Sequence, residues 1–167
     1  MTAEEKIFLV QLEKHKGILY KVARIYMDAG PDREDLQQEI IIQLWKSFGN
    51  FKGQSEFSTW MYRVAVNTAI TFFKKEKKRI DNHPIHSQDT PAAEAYNPYK
   101  DRQLDCFYKA VQQLKPIEKA LIFYFMEGFS HKEIGSCLGI SEGNARVKLN
   151  RTKEKLQEII KNSGYEI

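Results

Sequence analysis

Apolar residues recur along most of the chain at three- and four-residue intervals, the spacing of one helix face, and alternating strand-like runs are almost absent. A first helix is expected over residues 4–27, with Ile7, Leu12, Ile18, Leu19, Val22 and Ile25 on its apolar side. The stretch DAGPD stops it, and Asp32 is well placed to cap the next helix, which opens with Arg33, Glu34 and Asp35. That helix runs to about Phe48 on an inward stripe of Leu36, Ile40, Leu44 and Phe48. A loop with two glycines, GNFKGQSE, precedes a long helix whose candidate N-cap is Ser58.

The pattern then changes. IDNHPIHSQDTPAAEAYNPY, residues 80–99, holds three prolines, several turn formers and no apolar period. It is too long for an ordinary loop inside a compact domain and reads as a flexible linker. The expected fold class is therefore all-α, with two small helical domains over residues 1–79 and 100–167 joined by a linker over 80–99. The second domain begins with a helix near residues 102–114, and Pro116 starts another that Gly128 closes.

The segment SHKEIGSCLGISEGNARVKLNRTKEKLQEII has the parts of a helix-turn-helix. Ser130 and Glu133 form a capping box for a short helix that turns Ile134 and Leu138 inward. Gly139 stands where a left-handed residue ends that helix, and Ile140 plugs the corner. Ser141 caps a second helix with Ala145, Leu149, Thr152 and Leu156 on its inner face. That face leaves Gly143, Asn144, Val147, Asn150 and Arg151 outward, flanked by Arg146, Lys148, Lys153 and Lys155. Asn144 and Arg151 suit base edges or phosphates, and Gly143 allows close approach of backbone to a phosphate. Val147 either meets a thymine methyl or is an ordinary exposed apolar residue.

The helix rich in acids turns Asp35, Gln38, Glu39, Ile42 and Lys46 away from its inward stripe. An acidic face with an apolar centre suits a protein partner, and a solvated face is the equal alternative. In the long helix, with Trp60 set at 0° and about 100° per residue, Arg63, Asn67, Thr71, Lys74 and Lys78 fall on one side. Met61, Ala65, Ala69 and Phe72 fall on the other, extended by Tyr62, Val66 and Phe73. Trp60 thus heads a row that ends in the cations KKEKKR. An aromatic platform with a cationic track is the layout of single-strand binders. The alternative is that Trp60 packs under the first helix.

Composition narrows the function classes. The 26 Lys and Arg against 22 Asp and Glu leave a net charge of +4, mild support for a polyanionic partner. Cys106 and Cys137 lie far apart and suggest neither a disulfide framework nor a zinc site. His15, His83, His86 and His131 are scattered without metal-ligand spacing, so no catalytic centre, metal or cofactor is expected. The first residues do not form a signal peptide, and no apolar run nears the ~18 residues of a membrane span. A cytoplasmic protein without membrane insertion is expected.

Three ordered stretches, DREDLQQEIIIQLWKSFGNF, KGQSEFSTWMYRVAVNTAITFFKK and EGFSHKEIGSCLGISEGNARVKLNRTKEKL, resemble the extracytoplasmic-function sigma factors of bacterial RNA polymerase. The resemblance covers nearly the whole chain. It implies a non-enzymatic protein that binds core polymerase and directs it to promoters. Asp35, Gln38, Glu39 and Ile42 would then dock on the beta-prime clamp helices of core polymerase, whose beta flap is a further expected contact. The loop residues Asn50, Lys52, Gln54 and Ser55, with Trp60, Arg63, Asn67, Lys74, Lys75 and Lys78, would take the opened minus-ten element and its flipped base. Ser141, Gly143, Asn144, Arg146, Val147, Lys148, Arg151 and Lys155 would read the minus-thirty-five element as duplex. The linker would run toward the RNA exit path, and an anti-sigma partner is common in the family. Two departures stand out. Asn144-Ala145 replaces the usual Thr-Val, which bears on base preference. Gly135 replaces the usual Ala, which is expected to loosen its helix. An ordinary helix-turn-helix regulator, with the first domain for dimerisation or sensing, is the competing function.

Overall fold

Eight α-helices make up the secondary structure of the described residues, with no strand among them. The computed structural model describes residues 1–82 and 98–164, so the linker expected between the domains lies outside them except at its two ends. The chain divides into two compact units, Met1–Thr90 and Pro91–Ile167.

The first unit contains α1 (Ala3–Lys14), α2 (Gly17–Tyr26), α3 (Gly30–Phe48) and α4 (Phe57–Asn82). The single helix expected over residues 4–27 is thus two. The break precedes Gly17, the poorest helix former in the stretch, and the His15 N–H is shared between the carbonyls of Gln11 and Leu12. The His15 ring turns onto Phe57, with centroids 5.8 Å apart. Ile7 is 57% exposed, contrary to its expected place on the apolar side. Phe8 is instead the buried residue of α1, seated on Trp45 and Phe48 at 5.1 and 5.2 Å.

α3 is capped at Ala29 with Pro31 in its first turn, so Asp32 lies inside that turn, where its carboxylate faces the positive end of the helix. Arg33 secures the corner by donating to the carbonyls of Met27 (3.0 Å) and Asp28 (2.7 Å). Ser58 also lies inside its helix, because α4 begins at Phe57 and the Trp60 N–H already reaches the Glu56 carbonyl. No Pro or Gly interrupts Ile80, Asp81 and Asn82, and α4 continues through them.

The core of this unit joins three helices. Ile18, Leu19, Val22, Ala23, Ile25 and Tyr26 of α2 are buried, as are Leu36, Ile40 and Leu44 of α3. They meet Phe57, Met61, Ala65, Val66 and Ala69 of α4. The expected core residues Phe72 and Phe73 are only half-buried, and Phe73 stands edge-on to Tyr26 at 6.3 Å.

The second unit contains α5 (Pro98–Gln112), α6 (Pro116–Met126), α7 (His131–Leu138) and α8 (Glu142–Asn162). α5 starts earlier than the expected residue 102, at Pro98, since proline suits a first helical turn. The stretch of α6 from Lys119 to Tyr124 is buried all round. Within it the Lys119 ammonium donates to Gln112 of α5 at 3.1 Å.

The capping box of Ser130 and Glu133 is formed, Gly139 is left-handed at φ 71°, and the Ser141 hydroxyl accepts from the Asn144 N–H. Ile134, Ala145, Leu149, Thr152 and Leu156 are buried, while Leu138 and Ile140 are half-buried. Gly135 does not merely loosen α7. It is buried against the turn, and the Ile140 N–H closes back on its carbonyl at 2.9 Å. A Cβ there would lie 2.7 Å from the Ile140 carbonyl oxygen and 3.3 Å from the Ser141 carbonyl.

Gly135→Ala should therefore lower the stability of the second unit by about 1–3 kcal/mol, because overpacking exceeds the helix-propensity gain of about 1 kcal/mol. Gly143→Ala, with open space around the new methyl, should leave stability unchanged or slightly higher. Thermal denaturation followed by circular dichroism measures both.

Candidate nucleic-acid and protein interface

Burial of Leu36, Ile40 and Leu44 turns the opposite side of α3 outward. Asp35, Gln38 and Ile42 are exposed there, and Glu39 is half-buried, accepting from Gln43 at 2.9 Å. Trp45 extends the same row. Its spacing from Ile42 continues the three-four-three pattern of Asp35, Gln38 and Ile42, which is the spacing of a seam for a second helix. Ile42 is 46% exposed and Trp45 42%. The sequence pattern alone did not single out Trp45, since an aromatic at the end of a helix reads equally as core. Its exposure decides the matter.

The loop that follows holds Asn50, Lys52, Gln54 and Ser55, all exposed, and turns at Gly53, where φ is 69°. On α4, Arg63, Asn67, Lys74, Lys75 and Lys78 are exposed along one side. Trp60 stands apart from this row. It is half-buried and packs on Phe51 at 5.0 Å, Phe57 at 5.3 Å and Phe48 at 6.2 Å. The angular position on α4 points Trp60 toward the polar row, but loop aromatics unseen in a helical wheel fold over it. It anchors the loop and offers only part of its surface to a ligand.

A groove of about 590 Å³ between α3 and α4 brings together residues assigned to different partners. Glu39, Gln43 and Ser47 form one wall, and Asn67, Thr71, Phe72 and Lys75 form part of the other. The Thr71 hydroxyl is turned back to the Asn67 carbonyl at 3.2 Å.

On α8, Gly143, Asn144, Arg146, Val147, Lys148 and Arg151 are exposed in one continuous row, and Val147 is 46% exposed. Arg146 is held loosely by Glu142 at 3.5 Å, a half-exposed pair with little energetic weight. Ser141 keeps its oxygen on the helix cap.

The family description "Sigma-70 region 2" matches residues 12–79, and "Sigma-70, region 4" matches residues 104–156. The RNA polymerase sigma-H factor of Pseudomonas aeruginosa is 27% identical over 91% of this chain and 84% of its own length. The ECF RNA polymerase sigma-E factor of Haemophilus influenzae is 28% identical over 94% of this chain and 89% of its own. The chain belongs to the extracytoplasmic-function branch of the sigma-70 family. The fold agrees. The sigma factor RpoE of Bartonella quintana, solved with the anti-sigma factor NepR, superposes with a TM-score of 0.74, covering 93% of this chain and 98% of that one at 22% identity. The sigma factor thus directs promoter-specific transcription initiation with RNA polymerase, and its region 4 helix-turn-helix binds DNA. Among the described residues no helix is long and apolar enough to cross a membrane.

One residue expected in the DNA row of this sigma factor is otherwise engaged. The Lys155 ammonium donates to both carboxylate oxygens of Glu118, at 3.1 and 3.0 Å, tying α8 to the start of α6. Glu118 also accepts from the Lys115 N–H at 2.8 Å. Partial burial pushes the Glu118 carboxyl up, but the Lys115 N–H and the Lys155 ammonium outweigh it and hold it below the ordinary value. Lys155 is therefore a brace of the region 4 scaffold, one turn beyond the exposed cation Arg151. Lys153, in the same stretch, lies over the Phe125 ring at 3.6 Å.

A carboxyl that titrates below its unfolded value of 4.5 contributes fully above that pH and loses its contribution as pH falls through the folded value. Glu118→Gln should thus cost about 1 kcal/mol at neutral pH, and the gap to the unmodified protein should narrow as pH falls below 4.5. Urea denaturation at a series of pH values measures it.

Proposed function

We propose that the sigma factor docks on core polymerase through the outward row of α3. It would take the minus-ten element as an opened strand on the 49–56 loop and α4, and read the minus-thirty-five element as duplex with α8. The observation that carries this is that three exposed rows on three elements carry three different chemistries. The α3 row is acidic with an apolar end at Ile42 and Trp45, which suits a helical protein partner and repels a phosphate backbone. The expected partner is the pair of clamp helices of the beta-prime subunit, with the beta flap meeting region 4. The loop and α4 offer amide and hydroxyl groups followed by cations, which suits a strand whose bases are unpaired. The α8 row offers Asn144, Val147 and Arg151, which suits base edges in a major groove.

Extruding a base from a duplex costs a few kcal/mol, and the small polar loop of this chain offsets only part of that. Promoter opening therefore needs the polymerase, and the chain alone should bind promoter DNA weakly and with steep salt dependence. The protein acts in the cytoplasm as a non-catalytic initiation factor. The exposed α3 row is also a surface that an anti-sigma partner would cover to block docking; the Bartonella quintana sigma factor forms a complex with such a partner, NepR.

The deciding experiment is run-off transcription with core polymerase on genomic fragments, together with capture of core by the tagged protein. Specific transcripts are expected; tight duplex binding without any complex with core would establish an ordinary helix-turn-helix regulator instead. Ile42→Ala should weaken core binding by about tenfold while the melting temperature changes little, since that side chain is exposed. On region 4, Val147→Ala should change preference at a single base pair, whereas Arg151→Ala should weaken all sites and reduce the salt slope by about one. Competition binding over a library of minus-thirty-five duplexes separates the two.

A further inference from the structure

The aromatic residues around the 49–56 loop fall into two groups, and one ring touches both. Phe8 and Trp45 form the first group, 5.1 Å apart on the outward side of α3. Phe51, Phe57 and Trp60 form the second, with mutual separations of 5.0 to 5.9 Å, at the loop and the start of α4. Phe48 lies 5.2 Å from Phe8 and 6.4 Å from Trp45, and 6.3, 6.2 and 6.2 Å from Phe51, Phe57 and Trp60. Among the described residues no other ring contact joins the two groups.

The loop itself has few ties. Asn50 and Phe51 donate to the carbonyls of Ser47 and Phe48, and the Ser55 hydroxyl reaches only the neighbouring Glu56 carbonyl. Asn50, Lys52, Gln54 and Ser55 are exposed, and Gly53 adds freedom at its turn. Phe51 is the half-buried anchor in this stretch, and its ring lies nearly parallel to Phe48, at 18°. The helices on either side are held independently by Leu36, Ile40, Leu44, Met61, Ala65 and Ala69. Loss of the Phe48 ring therefore loosens the loop before it loosens the helical core.

We propose that Phe48 is a positioning residue: its ring seats Phe51 and Trp60, and so fixes the loop in the shape that receives the opened minus-ten strand. It sits behind the loop and touches no DNA, and its role rests on the minus-ten function proposed above for that loop. Phe48→Leu keeps an apolar side chain of similar bulk and removes the flat face. Phe48→Tyr keeps the face and serves as the rescue.

The test uses the assembled holoenzyme and a labelled 12-nucleotide nontemplate strand taken from a promoter recovered by run-off transcription. Phe48→Leu should weaken strand binding about tenfold and leave affinity for core polymerase within about twofold, while Phe48→Tyr restores strand binding. A second readout needs no DNA. Trp45 and Trp60 are the chain's two tryptophans, so in a Trp45→Phe background emission reports on Trp60 alone. That emission should shift to longer wavelength in Phe48→Leu and return in Phe48→Tyr, with helical circular dichroism unchanged. Equal loss of core and strand binding, or loss of helical signal, would make Phe48 an ordinary core residue and overturn the inference. Unchanged strand binding or unchanged Trp60 emission in Phe48→Leu would overturn it too. Unmodified holoenzyme that fails to bind the strand would instead bring down the minus-ten function, and this inference with it.

Discussion

Met61, Ala65, Val66 and Ala69 of α4 are fully buried against α2 and α3, and the rest of the first unit is arranged around that contact. Alanine at two turns of the stripe lets the helix backbones approach closely, which fixes the rotation of α4 about its axis. Once that rotation is fixed, Arg63, Asn67, Lys74 and Lys78 have no choice but to face solvent. The same logic operates in α3, where Leu36, Ile40 and Leu44 take one side and leave Asp35, Gln38, Ile42 and Trp45 on the other. Exposure here is the complement of packing: each outward row is what a buried stripe leaves over.

The second unit reaches the same result by a tighter route. Its two HTH helices meet at a backbone approach too close for a side chain at Gly135, with a left-handed turn at Gly139 and caps from Ser130 and Ser141. Ala145, Leu149, Thr152 and Leu156 then anchor α8 against the other helices of the unit, and the bridge from Lys155 to Glu118 locks its middle onto α6. A recognition helix must hold its register to a fraction of a base-pair step. Rigid attachment at several points along its length meets that need in a way that one hydrophobic contact would not.

The loop between α3 and α4 contrasts with both. It is polar, exposed and poorly tied by hydrogen bonds, yet it is bordered by a cluster of rings. Rings bring large contact area at low rotamer cost, so they can hold a loop without removing its polar groups from solvent. A surface built this way stays chemically open while its backbone is restrained.

The sequence by itself determined the helical class, the helix-turn-helix with its caps and left-handed glycine, and the outward rows on α3 and α8. Those features depend on local propensity and on one period, which a single helix expresses without its neighbours. It also carried enough of the family's ordered motifs to point to a sigma factor. Tertiary structure decided what depends on residues far apart in the chain. Phe8 is buried and Ile7 exposed because Phe8 is the residue of α1 that meets the rings at the C-terminal end of α3. Trp60 folds into the loop cluster because Phe48 and Phe51, from outside its helix, lie above it. Lys155 pairs with Glu118, 37 residues earlier, a partner that helical spacing on α8 does not reveal. Gly135 packs closely because a carbonyl five positions ahead returns to the place where a side chain would stand. Helical periodicity assigns a side chain its direction, but only the packed neighbours decide whether it meets solvent, a ring or a charge on arrival.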